Sequence, residues 1–174
     1  MSLLEKNNTA PSSEFQENLE LLRQIYFFSG LPLETLKVFA YLCTREKFKQ
    51  DEYIFNQDED DGQAFYIIDG RARLERRKNG ETDQVREYST GDFVGGLTLL
   101  GETKRLFGLK SVTETTCLVL NREKFTKTIE QFPNLLGKIC NAVAKSIDLW
   151  EERFLADYSD QCGNCLHKLG VTLI

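Results

Sequence analysis

A pair of glycines and one arginine stand at a spacing that suits an anion. The run Gly91-Asp92-Phe93-Val94-Gly95-Gly96-Leu97-Thr98-Leu99-Leu100 carries a strand-like tail into a glycine corner and an apolar half-turn, and Arg105 lies just beyond. Glycine at such a junction reaches backbone angles that other residues avoid. It also leaves the first N–H groups of the turn unobstructed, as donors with no partner of their own. A guanidinium close by can grip two phosphate oxygens together. The candidate ligand-binding residues are therefore Gly95, Gly96, Leu97, Thr98 and Arg105, with Leu106 and Phe107 at the wall beside the arginine. A glycine turn that merely neighbours an arginine is the plainer alternative. Glu102, three residues before Arg105, either occupies the arginine when no ligand is present or is a solvated loop acid.

A second group of reactive side chains lies in the tail. Cys162-Gly163-Asn164-Cys165-Leu166-His167 brings two thiols and the only histidine of the chain together. Cys162, Cys165 and His167 could ligate zinc, although a structural zinc site takes four ligands and a symmetric partner would have to complete it. Haem attachment needs histidine directly after the second cysteine, and Leu166 intervenes. A redox pair is a further possibility, and a tail with incidental thiols is the plain one. Cys43, Cys117 and Cys140 fall at apolar positions, where free cysteine behaves as a small hydrophobe.

One histidine also bounds the chemistry. Metal-dependent enzymes on small β-rolls need several histidines, and a Ser-His-Asp arrangement would have to recruit His167 without any nucleophile-elbow pattern. No P-loop occurs either. The expectation is a chain that is not an enzyme and carries no cofactor.

The elements that must position the corner follow from periodicity. Phe15, Leu19, Leu22 and Tyr26 recur at helical spacing up to Ser29-Gly30, and Leu33 to Cys43 repeats the period after Pro32. From Arg45 the texture turns to short alternating runs, divided by Asp60-Asp61-Gly62, Asp69-Gly70, Asn79-Gly80 and Thr90-Gly91. Such dipeptides between alternating runs signal hairpins, and many short strands suggest a sandwich or jelly roll. Helix returns at Arg122 to Gln131. A long helix then opens at Phe132-Pro133, with Leu136, Val143 and Trp150 alternating by threes and fours with Cys140, Ile147 and Phe154. That seam fits either a dimer helix or packing on its own domain.

The line Tyr66-Ile67-Ile68-Asp69-Gly70-Arg71-Ala72-Arg73-Leu74, followed by Gly91 to Leu100 and Arg105, resembles the cyclic-nucleotide-binding domain family over roughly Phe28 to Ser146. That family includes catabolite-activator-type regulators and regulatory subunits of cyclic-nucleotide-dependent kinases. The resemblance implies a β-roll holding cAMP or cGMP, with backbone amides and the arginine on the cyclic phosphate. Gly91, Asp92, Gly95, Leu97, Leu99, Leu100 and Arg105 match the phosphate-binding cassette, and Gly70 matches the glycine of the central hairpin. Three positions depart from it. Gly96 stands where the family has the glutamate that takes the ribose hydroxyl, Leu106 and Phe107 replace small residues, and Asp58 replaces a turn glycine.

The expected fold is therefore α+β: an antiparallel β-roll of jelly-roll type, flanked by N-terminal helices and a long C-terminal helix. Residues 1–13 are expected as a flexible leader, 14–132 as the roll domain with its helices, 133–158 as a dimerisation or lid helix, and 159–174 as a cysteine-containing tail. The 174 residues, 41% hydrophobic and 28% charged, suit one soluble domain. The net charge of −5 and the 16 residues after Tyr158 argue against DNA binding, since phosphate contacts need a basic face. No run approaches the roughly 18–20 apolar residues of a membrane helix, and scattered, odd-numbered cysteines point to the cytoplasm. The expectation is a regulatory module that senses cAMP, cGMP or a related phosphate ligand and signals through its C-terminal helix as a homodimer. The alternative is a dimeric scaffold that no longer binds nucleotide.

Overall fold

The computed structural model of the chain describes residues 11–157. The expected leader up to residue 10 and the tail with Cys162, Cys165 and His167 lie outside the described residues.

Helix α1 spans Pro11–Gln24, opening on a proline whose fixed φ suits a first helical turn. Leu19 and Leu22 bury their side chains. The helical stripe expected to run on to Tyr26 stops earlier. Ile25 is extended (φ −79°, ψ 117°), and a 3-10 turn follows at Tyr26–Phe28. The break shifts the phase, so Phe27 and Phe28 turn inward together and Tyr26 is left exposed. Helix α2 (Leu33–Leu42) follows Pro32.

Eight strands come next: β1 (Thr44–Phe48), β2 (Tyr53–Phe55), β3 (Gln63–Asp69), β4 (Arg71–Lys78), β5 (Glu81–Ser89), β6 (Phe93–Val94), β7 (Gly108–Ser111) and β8 (Thr115–Asn121). They form two antiparallel four-stranded sheets, ordered β1-β8-β3-β6 and β2-β7-β4-β5. With the helices around them they make the α+β roll that the sequence leads one to expect. Helix α3 (Arg122–Gln131) is capped by the Asn121 side chain, which accepts from the Glu123 N–H at 2.8 Å. Helix α4 (Asn134–Asp157) closes the described chain.

The first sheet is covered on both faces, and its sequence shows it. Phe65 and Ile67 of β3, with Cys117 and Val119 of β8, face the roll interior beside Phe48, Phe55 and Leu109. The intervening Ala64, Tyr66, Leu118 and Leu120 face the helices. Alternation along a strand with two apolar environments gives an unbroken hydrophobic run.

Two expectations are corrected. Asp69-Gly70 is not a hairpin turn between paired strands: β3 pairs with β6 and β8, whereas β4 pairs with β5 and β7. The chain crosses from one sheet to the other at Gly70, whose φ of +100° and lack of room explain the residue. A Cβ there would lie 2.5 Å from the Glu114 carbonyl oxygen. The second correction concerns α4. Its first half packs on its own domain, as one of the two expected roles of the seam would have it, but through Leu135, Ile139 and Ala142 together with the seam residue Val143, whereas the seam residues Leu136 and Cys140 are exposed. The side chains of Trp150 and Phe154 are outside the description.

Candidate anion-binding site

The glycine corner sits where β6 ends against β3, with Val94 opposite Phe65. Gly95 is left-handed (φ 86°, ψ 15°) and caps a 3-10 turn at Gly96–Leu99. A side chain at that φ is strained. Space forbids one too, because a Cβ on Gly95 would lie 2.5 Å from Arg105 Nη1. Thr98 fixes the turn: its hydroxyl lies 2.7 Å from both the Gly95 and the Gln63 carbonyl oxygens, which share its single proton, and its N–H donates to the Gly95 carbonyl at 3.1 Å. Leu99 is buried below, while Leu97 and Leu100 face outward. Among the described residues the N–H groups of Gly96 and Leu97 meet no backbone acceptor.

Arg105 is at the corner and buried, its side chain only 6% exposed. The guanidinium lies 4.0 Å over the Phe55 ring and 5.9 Å from the Phe65 centroid, an arrangement that favours a cation over an aromatic face. Asp61 holds one edge of it: Nη2 donates to Oδ1 at 2.7 Å and to Oδ2 at 3.0 Å, and Nε donates to Oδ2 at 3.3 Å. Nη2 also donates to the Gln63 carbonyl at 2.5 Å. Nη1, which faces Gly95, takes part in none of these bonds among the described residues.

The backbone locks the same place. Arg105 N–H donates to Glu59, and Asp58 N–H donates back to Arg105, each at 2.8 Å. Asp58, which replaces the family's turn glycine, adopts φ +68°, an angle that aspartate tolerates better than most residues. Asp60, beside Asp61, binds Arg122 in a bidentate pair that includes Nη1 to Oδ2 at 3.0 Å. The Arg122 hydrogen bond holds the Asp60 carboxyl below its ordinary range. Arg122 Nε in turn donates to the Thr98 carbonyl at 2.5 Å. One acidic turn thus grips two arginines, one behind the corner and one at the head of α3.

Several sequence expectations change position here. Glu102 does not occupy Arg105. It is exposed, and the carboxylate on the arginine comes from Asp61. Leu106 is exposed and Phe107 is half-buried. The rings against the guanidinium are those of Phe55 and Phe65. Gly96 also has a packing reason: a Cβ there would lie 2.9 Å from Phe93 Cε1 and 3.0 Å from Phe27 Cδ2. Sequence reasoning missed Asp61, Gln63 and Arg122, because Asp60-Asp61-Gly62 reads locally as turn chemistry alone.

No cluster of histidine, cysteine or acidic residues able to hold a metal occurs among the described residues. Burial pushes the Cys43 and Cys117 thiols up to about 12, so neither offers a reactive thiolate near neutrality. Outside the acidic turn, a groove of about 470 Å³ runs between Asp60, Asp61 and α3.

Residues 45–132 match the family model of the cyclic nucleotide-binding domain. A cAMP-dependent protein kinase regulatory subunit from Emericella nidulans is 30% identical over 118 residues, covering 67% of this chain and 28% of that protein. A lysophospholipase NTE1 from Chaetomium globosum is 30% identical over 94 residues, covering 53% of this chain and 6% of its own length. The chain therefore spans well under a third of either curated relative. Among solved structures, the regulatory domain of Toxoplasma gondii PKA with cAMP superposes with a TM-score of 0.62 at 20% identity, covering 75% of this chain and 51% of that one.

Proposed function

Because the chain belongs to the cyclic nucleotide-binding domain family, we propose that it is a non-enzymatic regulatory module whose glycine corner takes the phosphate of cAMP, cGMP or a related ligand. The observation that carries this reading is Arg105: a buried guanidinium fixed against Gly95, with Nη1 turned to the corner and two unpaired backbone N–H groups in the same turn. Those are the donors a phosphate needs. The name of the Emericella nidulans relative and the cAMP in the Toxoplasma gondii structure support the same ligand class.

The route outward runs through an aromatic wedge. The Phe27 ring closes the space beside Gly96, 3.0 Å from where a Cβ would stand, and the turn that carries Phe27 packs against α4. In this proposal residues 14–132 form the sensing body and 133–158 the helix that answers it. The exposed Leu136 and Cys140 then serve a second copy of the chain. A ligand moves the helix only by binding its two positions unequally. No helix among the described residues is long and apolar enough to cross a membrane, and a cytoplasmic location is part of the proposal.

The test is thermal melting with cAMP, cGMP and a cyclic dinucleotide. A ligand at about 100 times its dissociation constant adds roughly 2.7 kcal/mol, which for a chain of this size is a rise of about 5–10 °C. Absence of any shift at millimolar ligand would sink the sensing role. The second reading, a dimeric scaffold without nucleotide, is favoured by one observation: the Phe93 and Phe27 rings fill the space where the family's ribose-binding side chain would begin.

A further inference from the structure

We propose that a cavity on the outer face of the second sheet is a further ligand site, which takes a small zwitterion of the α-amino-acid class with its carboxylate on Arg77 and its ammonium on Asp58. The inference is independent of what binds at Arg105.

The cavity exists because the sheet is one strand short there. Strand β7 begins at Gly108, opposite Glu75, whereas β4 runs on to Lys78. A side chain closes the gap in place of a strand. The Gln57 Oε1 accepts from the Arg77 N–H at 2.7 Å, and its Nε2 donates to the Arg77 carbonyl at 3.2 Å. Leu74 and Leu109 face the roll interior, so the neighbouring Glu75 turns to the outer side. What remains is a cavity of about 150 Å³, lined by Tyr53, Gln57, Asp58, Glu75, Arg77 and Thr82. An engineered cavity of about that volume holds benzene. Alanine has as many non-hydrogen atoms as benzene, and a nucleotide has far more.

Charge selects among small ligands. Glu75 is buried and already matched: Arg73 Nε donates to its Oε1 at 2.7 Å and the Tyr53 hydroxyl to its Oε2 at 3.0 Å. The other two charged groups are not. Among the described residues, neither the Asp58 carboxylate nor the Arg77 guanidinium makes a hydrogen bond or an ion pair, with each other or with anything else. An added anion meets Asp58, an added cation meets Arg77, and a ligand with one charge of each sign finds a partner at both. The guanidinium fork matches a carboxylate, with the Thr82 hydroxyl in the same cavity.

Asp58 is placed there at some cost. Its φ of +68° is one that glycine adopts freely, and an aspartate at that position brings a carboxylate to the cavity wall. The loop is also held in advance of any ligand. Asp58 N–H donates to the Arg105 carbonyl and Arg105 N–H to the Glu59 carbonyl, each at 2.8 Å. A site ordered before binding loses less on binding.

The test is titration of ¹⁵N-labelled protein with glycine, L-alanine and L-serine, followed at the Gly108 N–H and the Gln57 side-chain amide. Saturable shifts are expected with these amino acids. N-acetyl-L-alanine lacks the ammonium and L-alaninamide the carboxylate, so each should bind at least about 10-fold more weakly than alanine. Asp58→Gly removes the carboxylate and relieves the backbone angle, and Arg77→Gln removes the cation at an exposed position. Each variant should lose at least about 10-fold in alanine affinity while melting within about 2 °C of wild type. No saturable shift with any of the three amino acids at millimolar concentration overturns the proposal. So does a capped analogue, or either variant, that matches the affinity of wild type for alanine.

Discussion

Arg105→Ala is expected to remove about 3–5 kcal/mol of stability, the usual consequence of deleting one member of a buried ion pair. The loss has three sources. Asp61 keeps its charge with no cation on it, the Gln63 carbonyl loses a donor, and Phe55 loses the guanidinium stacked at 4.0 Å. For a chain of this size the melting temperature should fall by about 6–20 °C, and urea unfolding should show an earlier midpoint at an unchanged slope. A variant that melts within about 2 °C of wild type would mean that the arginine is not held as described. Lost nucleotide binding in Arg105→Ala is therefore uninformative by itself, since a residue that anchors both the fold and the ligand cannot separate the two.

Gly96→Glu, the substitution that restores the family's residue on paper, is expected to destabilise the chain by about 1–3 kcal/mol through overpacking and not to tighten nucleotide binding. The first side-chain carbon already meets Phe93 and Phe27 at 2.9 and 3.0 Å. Those rings are not free to part. Phe27 touches Phe28 and Phe125 at centroid distances of 5.1 and 6.1 Å, and Phe93 lies 5.8 Å from Phe28. Paired melting and calorimetry on Gly96→Glu check this. Unimpaired stability together with stronger cAMP binding would show that the aromatic wedge yields, and that only the carboxylate is missing.

Features written in local angles were legible in the sequence. Asn79-Gly80 announces the β4–β5 hairpin because both residues adopt positive φ, 54° and 85°. Gly95 is left-handed, as a glycine at a strand-to-turn junction suggests. Features that depend on distant partners were not legible. A turn dipeptide reports its own backbone but not which sheet receives the next strand, so Asp69-Gly70 looked like a hairpin. The start of α4 carries apolar residues at both Leu135 and Leu136, and only the packed core, which takes Leu135 and Ile139 along with Val143, chooses between the two faces. Arg105 was found through its spacing from the cassette. Asp61 lies 44 residues away in the chain, and no periodicity links such a pair.

The single-glycine crossing at Gly70 has a kinetic consequence. It sends two successive strands to separate sheets, and each must find partners from late in the chain: β8 for β3, β7 for β4. Among the described strands, only β4 and β5 pair as immediate neighbours in the chain. The remaining closures surrender chain entropy before any contact repays it, a topology of high contact order and slow folding. Until β8 arrives, the β3 edge that it covers stays unpaired, so the nascent chain is most prone to aggregate in the interval before β8 is made.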